Sequence, residues 1–388
     1  MNMKILHVIG CFDKKNGGVY SAITSITDME RSLGFTSDIL SIRSDDQQYD
    51  SRFFNGQVNL FNRSFPYVFS PSKEAERWME LNIERYDLVV LHEVWAILAV
   101  RVASIAKKHQ VKYVIWPHGS LDPFDLKKKS FLKKILGNIV IKGITANASA
   151  ICCTSNIEKD VLETYNDQKN VSISVLPLPI EFNAEGSRER FRDKHNLSAN
   201  TFVFLFLSRV DYKKGLDLFL RAYKRFLDIN NDIDVKLIIA GKGNRAYETY
   251  INGLIAEMRL SAYIYSAGFL SGTDKADAFA ASDCFILPSM NENYGISVIE
   301  ALQSNLPVLI SDNVYIWKDI IPAGGWVCEH NVDSILSSLN VIHREFTSKQ
   351  IRMKRPAKVG GNFKKDQLIS LYSDFYDLVI NKQEVIFS

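Results

Sequence analysis

The sequence has no long hydrophobic run. Its longest unbroken apolar stretch, Val94 to Val100, is seven residues, whereas a membrane-spanning helix takes ~20, so no such helix is expected. Cysteine is scarce. Cys11, Cys152, Cys153, Cys284 and Cys328 are an odd number with no CxxC or zinc-ligand spacing. That argues against a disulfide scaffold and for reduced, mostly buried thiols in the cytosol. An excess of one charge is also missing: 47 Lys and Arg stand against 44 Asp and Glu, too even for a dedicated nucleic-acid binder. With 20 Gly and 10 Pro in 388 residues, collagen-like and low-complexity classes are excluded. No repeat of solenoid length occurs. At the N-terminus Lys4 precedes only Ile5 to Ile9, too short for a signal-peptide core and without a small-residue cleavage site; a first β-strand is the better reading.

What remains is an ordinary globular balance, 46% hydrophobic and 23% charged, with length for two or three domains. Short Val/Ile/Leu-rich runs alternate with helical stretches. Strands are predicted at 4–9, 36–42, 88–92, 112–116, 150–154 and 172–176, then at 202–207, 235–240, 263–267, 284–287, 307–310 and 325–327. They read as continuous apolar runs, as strands buried on both faces of a parallel sheet do. Helices are predicted at 20–33, 96–109, 131–146, 215–227, 247–258, 275–281, 296–303 and 332–339. A last helix at 366–380 places Leu368, Leu371, Tyr372, Phe375 and Val379 on one stripe. Two successive βα series imply two doubly wound α/β domains, each binding ligands at the C-terminal edge of its sheet. The prolines of Val175-Leu176-Pro177-Leu178-Pro179-Ile180 mark a stiff connector, followed by a polar, charged segment at 184–192.

Three places carry candidate chemistry. Gly17-Gly18 lies between the first strand and first helix, where backbone N–H groups can approach an anion; a plain βα turn explains it equally well. Arg209 and Lys214 follow the first strand of the second half. A guanidinium and an ammonium at that edge suit a diphosphate, whereas most Lys-Lys pairs belong to solvated loops. In Leu287-Pro288-Ser289-Met290-Asn291-Glu292-Asn293-Tyr294-Gly295-Ile296, a strand ends, a loop carries Glu292, and a helix begins that carries Glu300. Two carboxylates flanking a helix N-terminus could grip hydroxyls on either side of a diphosphate. The plainer alternative makes Glu292 a capping carboxylate and Glu300 a surface residue.

In this order and spacing, these motifs resemble the retaining glycosyltransferases of family 4. The likeness implies the GT-B fold, two Rossmann-like doubly wound domains facing a central cleft. It places an acceptor-side domain at 1–178, with a C-terminal helix of about 366–388 packing back on it, and a donor domain at 179–365. It also implies roles. Arg209 and Lys214 neutralise the leaving diphosphate, Glu292 lies against the transferred sugar, and Glu300 binds the ribose. Gly17 and Gly18 form the N-terminal diphosphate loop, and Asn293, Tyr294, Gly295 and Ile296 line the donor site. His118, in Pro117-His118-Gly119-Ser120-Leu121-Asp122-Pro123, is implied near the donor sugar; a turn histidine bonded to backbone is the alternative. Tyr294 replaces the family's usual Phe, and Asn305 stands where Gly usually precedes a Leu-Pro-Val turn. The expected enzyme moves a sugar from a UDP- or GDP-sugar to a glycan or lipid-linked glycan, with retention, without metal or cofactor, in surface polysaccharide assembly. A nucleotide-sugar epimerase or a non-catalytic glycan-binding scaffold on the same fold are the alternatives.

The Asp232-Ile233-Asp234 triplet is discounted as a metal motif, because one or two Asp-x-Asp matches are expected by chance in a chain of this composition. Gly241-Lys242-Gly243 lacks the third glycine of a dinucleotide fingerprint. The segment 127–136 mixes five lysines with apolar residues at helical spacing. It suits peripheral contact with the inner face of a membrane or, equally, a solvated helix face.

Overall fold

The computed structural model describes residues 2–65, 72–92, 94–121, 143–145, 147–165, 171–230, 233–320, 325–347, 363 and 365–381. The chain divides into two compact units, Met1–Ile180 with Phe363–Ser388, and Glu181–Asn362. The lysine-rich segment 127–136, most of the helix predicted at 131–146, and Asp122 and Pro123 lie outside the described residues.

The first unit holds β1 (Lys4–Ile9), β2 (Thr36–Ile42), β3 (Val58–Phe61), β4 (Leu88–Leu91), β5 (Lys112–Ile115), β6 (Ala150–Cys153) and β7 (Ser172–Val175). They form one sheet in the order β3-β2-β1-β4-β5-β6-β7, with each neighbouring pair parallel. Helices α1 (Gly18–Ser32), α2 (Lys73–Asn82), α3 (Ile97–Lys108) and α4 (Asn156–Tyr165) connect the strands. β4 is buried along its whole length, as continuous apolar runs require in a doubly covered sheet.

The second unit opens with α5 (Arg188–Lys194). Its sheet runs β10-β9-β8-β11-β12-β13, again parallel throughout. The strands are β8 (Phe202–Leu207), β9 (Val235–Ala240), β10 (Ile264–Gly268), β11 (Cys284–Leu287), β12 (Val308–Ser311) and β13 (Gly325–Cys328). They alternate with α6 (Leu216–Ile229), α7 (Arg245–Glu257), α8 (Gly272–Ala281), α9 (Ile296–Gln303) and α10 (Val332–Thr347). The last helix, α11 (Lys365–Asn381), belongs to the first unit. The doubly wound α/β pattern expected from the alternating runs is therefore the pattern that forms, twice.

Three details differ from the expectation. On α11 the buried stripe is Leu368, Tyr372, Phe375, Tyr376 and Val379, while Leu371 is 40% exposed; 100° per residue swings Leu371 off the face that Tyr376 joins. β3, α2, α4 and α5 were not predicted. The polar segment at 184–192 runs into α5, where the guanidinium of Arg192 is buried. It donates to the carbonyls of Ser198, Thr201 and Ala281 and to Asp283.

In each sheet the winding reverses at the first strand. β1 has β2 on one side and β4 on the other; β8 has β9 on one side and β11 on the other. Loops leaving two such strands diverge, and the crevice between them lies at the carboxyl ends. The candidate residues cluster at these two switch points.

Candidate functional sites at the two sheet edges

In the second unit, the loops after β8 and β11 are joined backbone to backbone: Met290 N–H donates to the Lys213 carbonyl at 2.8 Å. Gly215 allows this approach. It has φ 70°, and a Cβ there would stand 2.1 Å from the Pro288 carbonyl oxygen. His330 Nδ1 lies 2.8 Å from the same carbonyl oxygen. The result brings Lys214 and Glu292 together: the ammonium donates to Glu292 Oε2, both side chains being largely buried. The Glu292 backbone is clamped in turn, its N–H on the Asn313 carbonyl and its carbonyl under the Tyr315 N–H.

Glu292 does not cap α9. The N-cap is Gly295, at φ 72°, with no side-chain hydrogen bond, so the first-turn N–H groups from Ile296 onward have no capping side chain. Asn293 and Ile296 are half-buried and Tyr294 is buried. Glu300 is not a surface residue: its side chain is 13% exposed and its Oε1 accepts from Lys275 Nζ at 2.6 Å. Burial pushes the Glu300 carboxyl above its usual range, and the Lys275 charge opposes that. Lys275, on α8, was not singled out from the sequence; it stands 25 residues from its partner, and no spacing rule links them. Arg209 is exposed and has no hydrogen bond or ion pair among the described residues.

In the first unit, Gly17 has φ 54° and ψ −110°, a conformation reserved for glycine. Gly18 begins α1, again with no side-chain cap. A Cβ on either would meet no protein atom within 4 Å, so the space beside this helix start is open.

His118 is not bonded to backbone. Its Nε2 lies 2.8 Å from His92 Nδ1, just past the end of β4. The peptide around it is held hard: His118 has φ 49° and Gly119 φ 75°, while the buried Glu158 accepts the Gly119 N–H at 3.1 Å. The His118 ring stacks on Trp116 at 6.0 Å. Burial holds His118 down to about 3, and His92 well below the ordinary imidazole value. Among the described residues, no three His, Cys, Asp or Glu side chains gather as metal ligands would. No described helix is long and apolar enough to cross a membrane.

Residues 187–354 match the glycosyl transferases group 1 family, and residues 16–183 match glycosyltransferase family 4. The chain belongs to the group 1 glycosyltransferases. Among its relatives is an alpha-monoglucosyldiacylglycerol synthase of Streptococcus pneumoniae, 25% identical over 66% of this chain and 57% of that protein. The chain thus spans just over half of that relative's length. A second is the UDP-Gal:alpha-D-GlcNAc-diphosphoundecaprenol alpha-1,3-galactosyltransferase of Escherichia coli, 24% identical over 78% of each chain. Among solved structures, Anabaena HepE in complex with UDP and glucose superposes with a TM-score of 0.79 at 16% identity, covering 97% of this chain and all of that one. That likeness establishes the GT-B fold.

Proposed function

We propose that this group 1 glycosyltransferase moves a sugar from a nucleotide-sugar, UDP- or GDP-linked, to a glycan or lipid-linked glycan in surface polysaccharide assembly. The configuration at the anomeric carbon is retained and no metal is needed. The observation that carries this reading is the edge of the second sheet. There Lys214 meets Glu292 between the loops after β8 and β11, beside the uncapped start of α9, and Glu300 stands on α9 itself, paired with Lys275 of α8.

The chemistry follows from charge. As the bond from the anomeric carbon to the diphosphate lengthens, negative charge collects on the diphosphate and positive charge on the ring. Lys214, Arg209 and the N–H groups at the start of α9 stabilise the first. Glu292 stabilises the second. Glu300, steadied by Lys275, takes the ribose hydroxyls, and Gly17 and Gly18 offer an open backbone cradle for phosphate. The Escherichia coli relative, named for UDP-Gal and a GlcNAc-diphosphoundecaprenol acceptor, and HepE, which binds UDP and glucose, support the donor and acceptor classes. Contact of 127–136 with an anionic membrane belongs to the same proposal.

The test combines ligand binding and kinetics. UDP, GDP and ADP are compared by thermal shift, where a ligand at 100 times its Kd stabilises by ~2.7 kcal/mol. Lys214→Ala and Arg209→Ala should each lower turnover by about 10²-fold or more. Glu292→Gln should lower kcat with nucleotide affinity intact, and Glu300→Gln should mainly raise the donor KM. Activity should survive EDTA, and the product should keep the donor's anomeric configuration. A nucleotide-sugar epimerised without acceptor, or no stabilisation by any nucleotide, would overturn the assignment.

A further inference from the structure

The candidate His118 ends a line of hydrogen-bonded side chains that crosses the core of the first unit. His118 Nε2 lies 2.8 Å from His92 Nδ1, His92 Nε2 lies 2.8 Å from His7 Nδ1, and His7 Nε2 lies 2.8 Å from Glu30 Oε2. The three imidazoles are stacked in file, successive centroids 5.1 Å apart. Glu30, His7 and His92 are at most 1% exposed. The elements involved are α1 for Glu30, the middle of β1 for His7, and the chain just beyond β4 and β5 for the other two. The line thus runs from the carboxyl edge of the sheet, through the middle of β1, to the last turn of α1. Glu30 also accepts the hydroxyl of Ser37 on β2 at 2.5 Å and that of Tyr376 on α11. Burial, together with the Glu30 charge, keeps the Tyr376 hydroxyl protonated and hence a donor. Cys152 lies beside Tyr376, and Trp116 stacks on His92 and His118. Among the described residues no lysine or arginine is paired with Glu30.

Donor and acceptor roles along such a line are not independent. A carboxylate accepts only, so His7 must donate from Nε2. With all three rings neutral, His7 Nδ1 is bare and accepts from His92 Nε2–H, and His92 Nδ1 accepts from His118 Nε2–H. The free nitrogen of His118, Nδ1, then carries a lone pair. A proton bound there changes every member at once. His118 gives its Nε2 proton to His92 Nδ1, His92 gives its Nε2 proton to His7 Nδ1, and the charge ends on His7, beside Glu30. One N–H bond forms at each acceptor nitrogen and one breaks at each donor, so His118 and His92 each keep one proton but move it from Nε2 to Nδ1, and His7 gains one.

We propose that Glu30, His7, His92 and His118 form a proton relay, in which a proton accepted at His118 Nδ1 is stored as a His7 imidazolium paired with Glu30. The arrangement answers a difficulty at His118, which by itself is a poor base in its half-buried position. Glycosyl transfer releases one proton: the acceptor O–H breaks as its oxygen bonds the anomeric carbon. On the functional reading above, on which this part rests, the acceptor hydroxyl is the source of the relay's proton. Glu30, His7 and His92 are positioning residues; His118 alone touches the reacting group.

The test reads protons directly and needs no turnover. In the full chain labelled with 15N-histidine, NMR assigns which ring nitrogens of His7, His92 and His118 carry hydrogen. At neutral pH all three should be neutral and protonated at Nε2. On acidification the first proton bound should appear as a doubly protonated His7, with His92 and His118 switching together to the Nδ1–H form. An imidazolium at His118 or His92 first, or rings that change independently, overturns the relay. Glu30→Gln, nearly isosteric, should abolish the concerted switch; if that variant does not fold, the wild-type titration decides alone. In turnover, His92→Phe should lower kcat by about 10²-fold, the low end for a lost general base, while nucleotide affinity holds. An active transferase with unlinked histidines rejects the relay only; linked histidines in a protein without transferase activity reject the functional reading only.

Discussion

Glu300 and Lys275 show how a single residue's meaning depends on what the fold brings to it. On the sequence, Glu300 was a carboxylate with either a ribose to bind or a surface to sit on. In the fold it is largely buried, opposite one ammonium. Lys275→Ala leaves that carboxylate without its cation and should destabilise the protein by ~1–3 kcal/mol. Glu300→Gln in the same chain should recover most of the loss, because the charge in need of a partner is gone. Urea midpoints of the two single variants and the double variant check this, and simple additivity would mean the two side chains do not act as a pair. The same lesson applies at His7. A histidine inside the run Lys4-Ile5-Leu6-His7-Val8-Ile9 had to be satisfied by something. The run could not say that the partners were Glu30 and His92, 23 and 85 residues away.

At the scale of the element, the two glycine turns differ in what holds them. Gly215 is required by the protein itself: its left-handed backbone and the Pro288 carbonyl leave no room for a Cβ. Gly215→Ala should cost at least ~1–3 kcal/mol from conformation alone. Gly18 has open space around it at the first position of α1. Gly18→Ala should leave the melting temperature unchanged or raise it slightly, worth at most ~1 kcal/mol, yet weaken nucleotide-sugar binding where phosphate approaches this backbone. Calorimetry of folding and of ligand binding separates the two effects. If Gly18→Ala binds donor normally, the turn is only a connector. The elements missed from the sequence share a cause. In α2 only Ala75 and Met79 are buried, too few to make an apolar period. β3 carries just four residues at the edge of its sheet. α5 buries Phe191 and Arg192, and a buried arginine looks like surface until its carbonyl partners are known.

Across the whole molecule, the buried histidines tie stability to pH. His92 and His118 stay neutral in the folded chain well below the ordinary imidazole value near 6.5. Below that value the unfolded chain binds protons that the folded chain refuses, so stability falls with decreasing pH, by up to ~1.4 kcal/mol per pH unit for each. His195 and His343, also held down by burial, act in the same sense. His109 is raised by Glu80 and Glu84; its contribution grows as pH falls from that raised value through 6.5, partly offsetting the decline near neutrality, and is constant in stronger acid. Asp50, held at about 2 beside Arg52, loses its contribution only in stronger acid. Urea unfolding at pH 7.0, 6.0 and 5.5 should show the decline before the carboxylates titrate. A flat profile over that range would mean that these imidazoles are open to water.

The sequence by itself determined the architecture. Continuous apolar runs separated by helical periods permit little but two doubly wound parallel sheets, because such strands must be covered on both faces. It also located the loops after β8 and β11, since a strand, a glycine and a helix start in succession mark a sheet's carboxyl edge. Pairing was decided only by the tertiary structure. Lys214 meets Glu292 across 78 residues, Lys275 meets Glu300 across 25, and Tyr376 reaches Glu30 across 346. Periodicity records which face of an element is buried and carries no information about which distant polar group will share that burial. That is fixed when the strands take their order and each buried donor must find an acceptor.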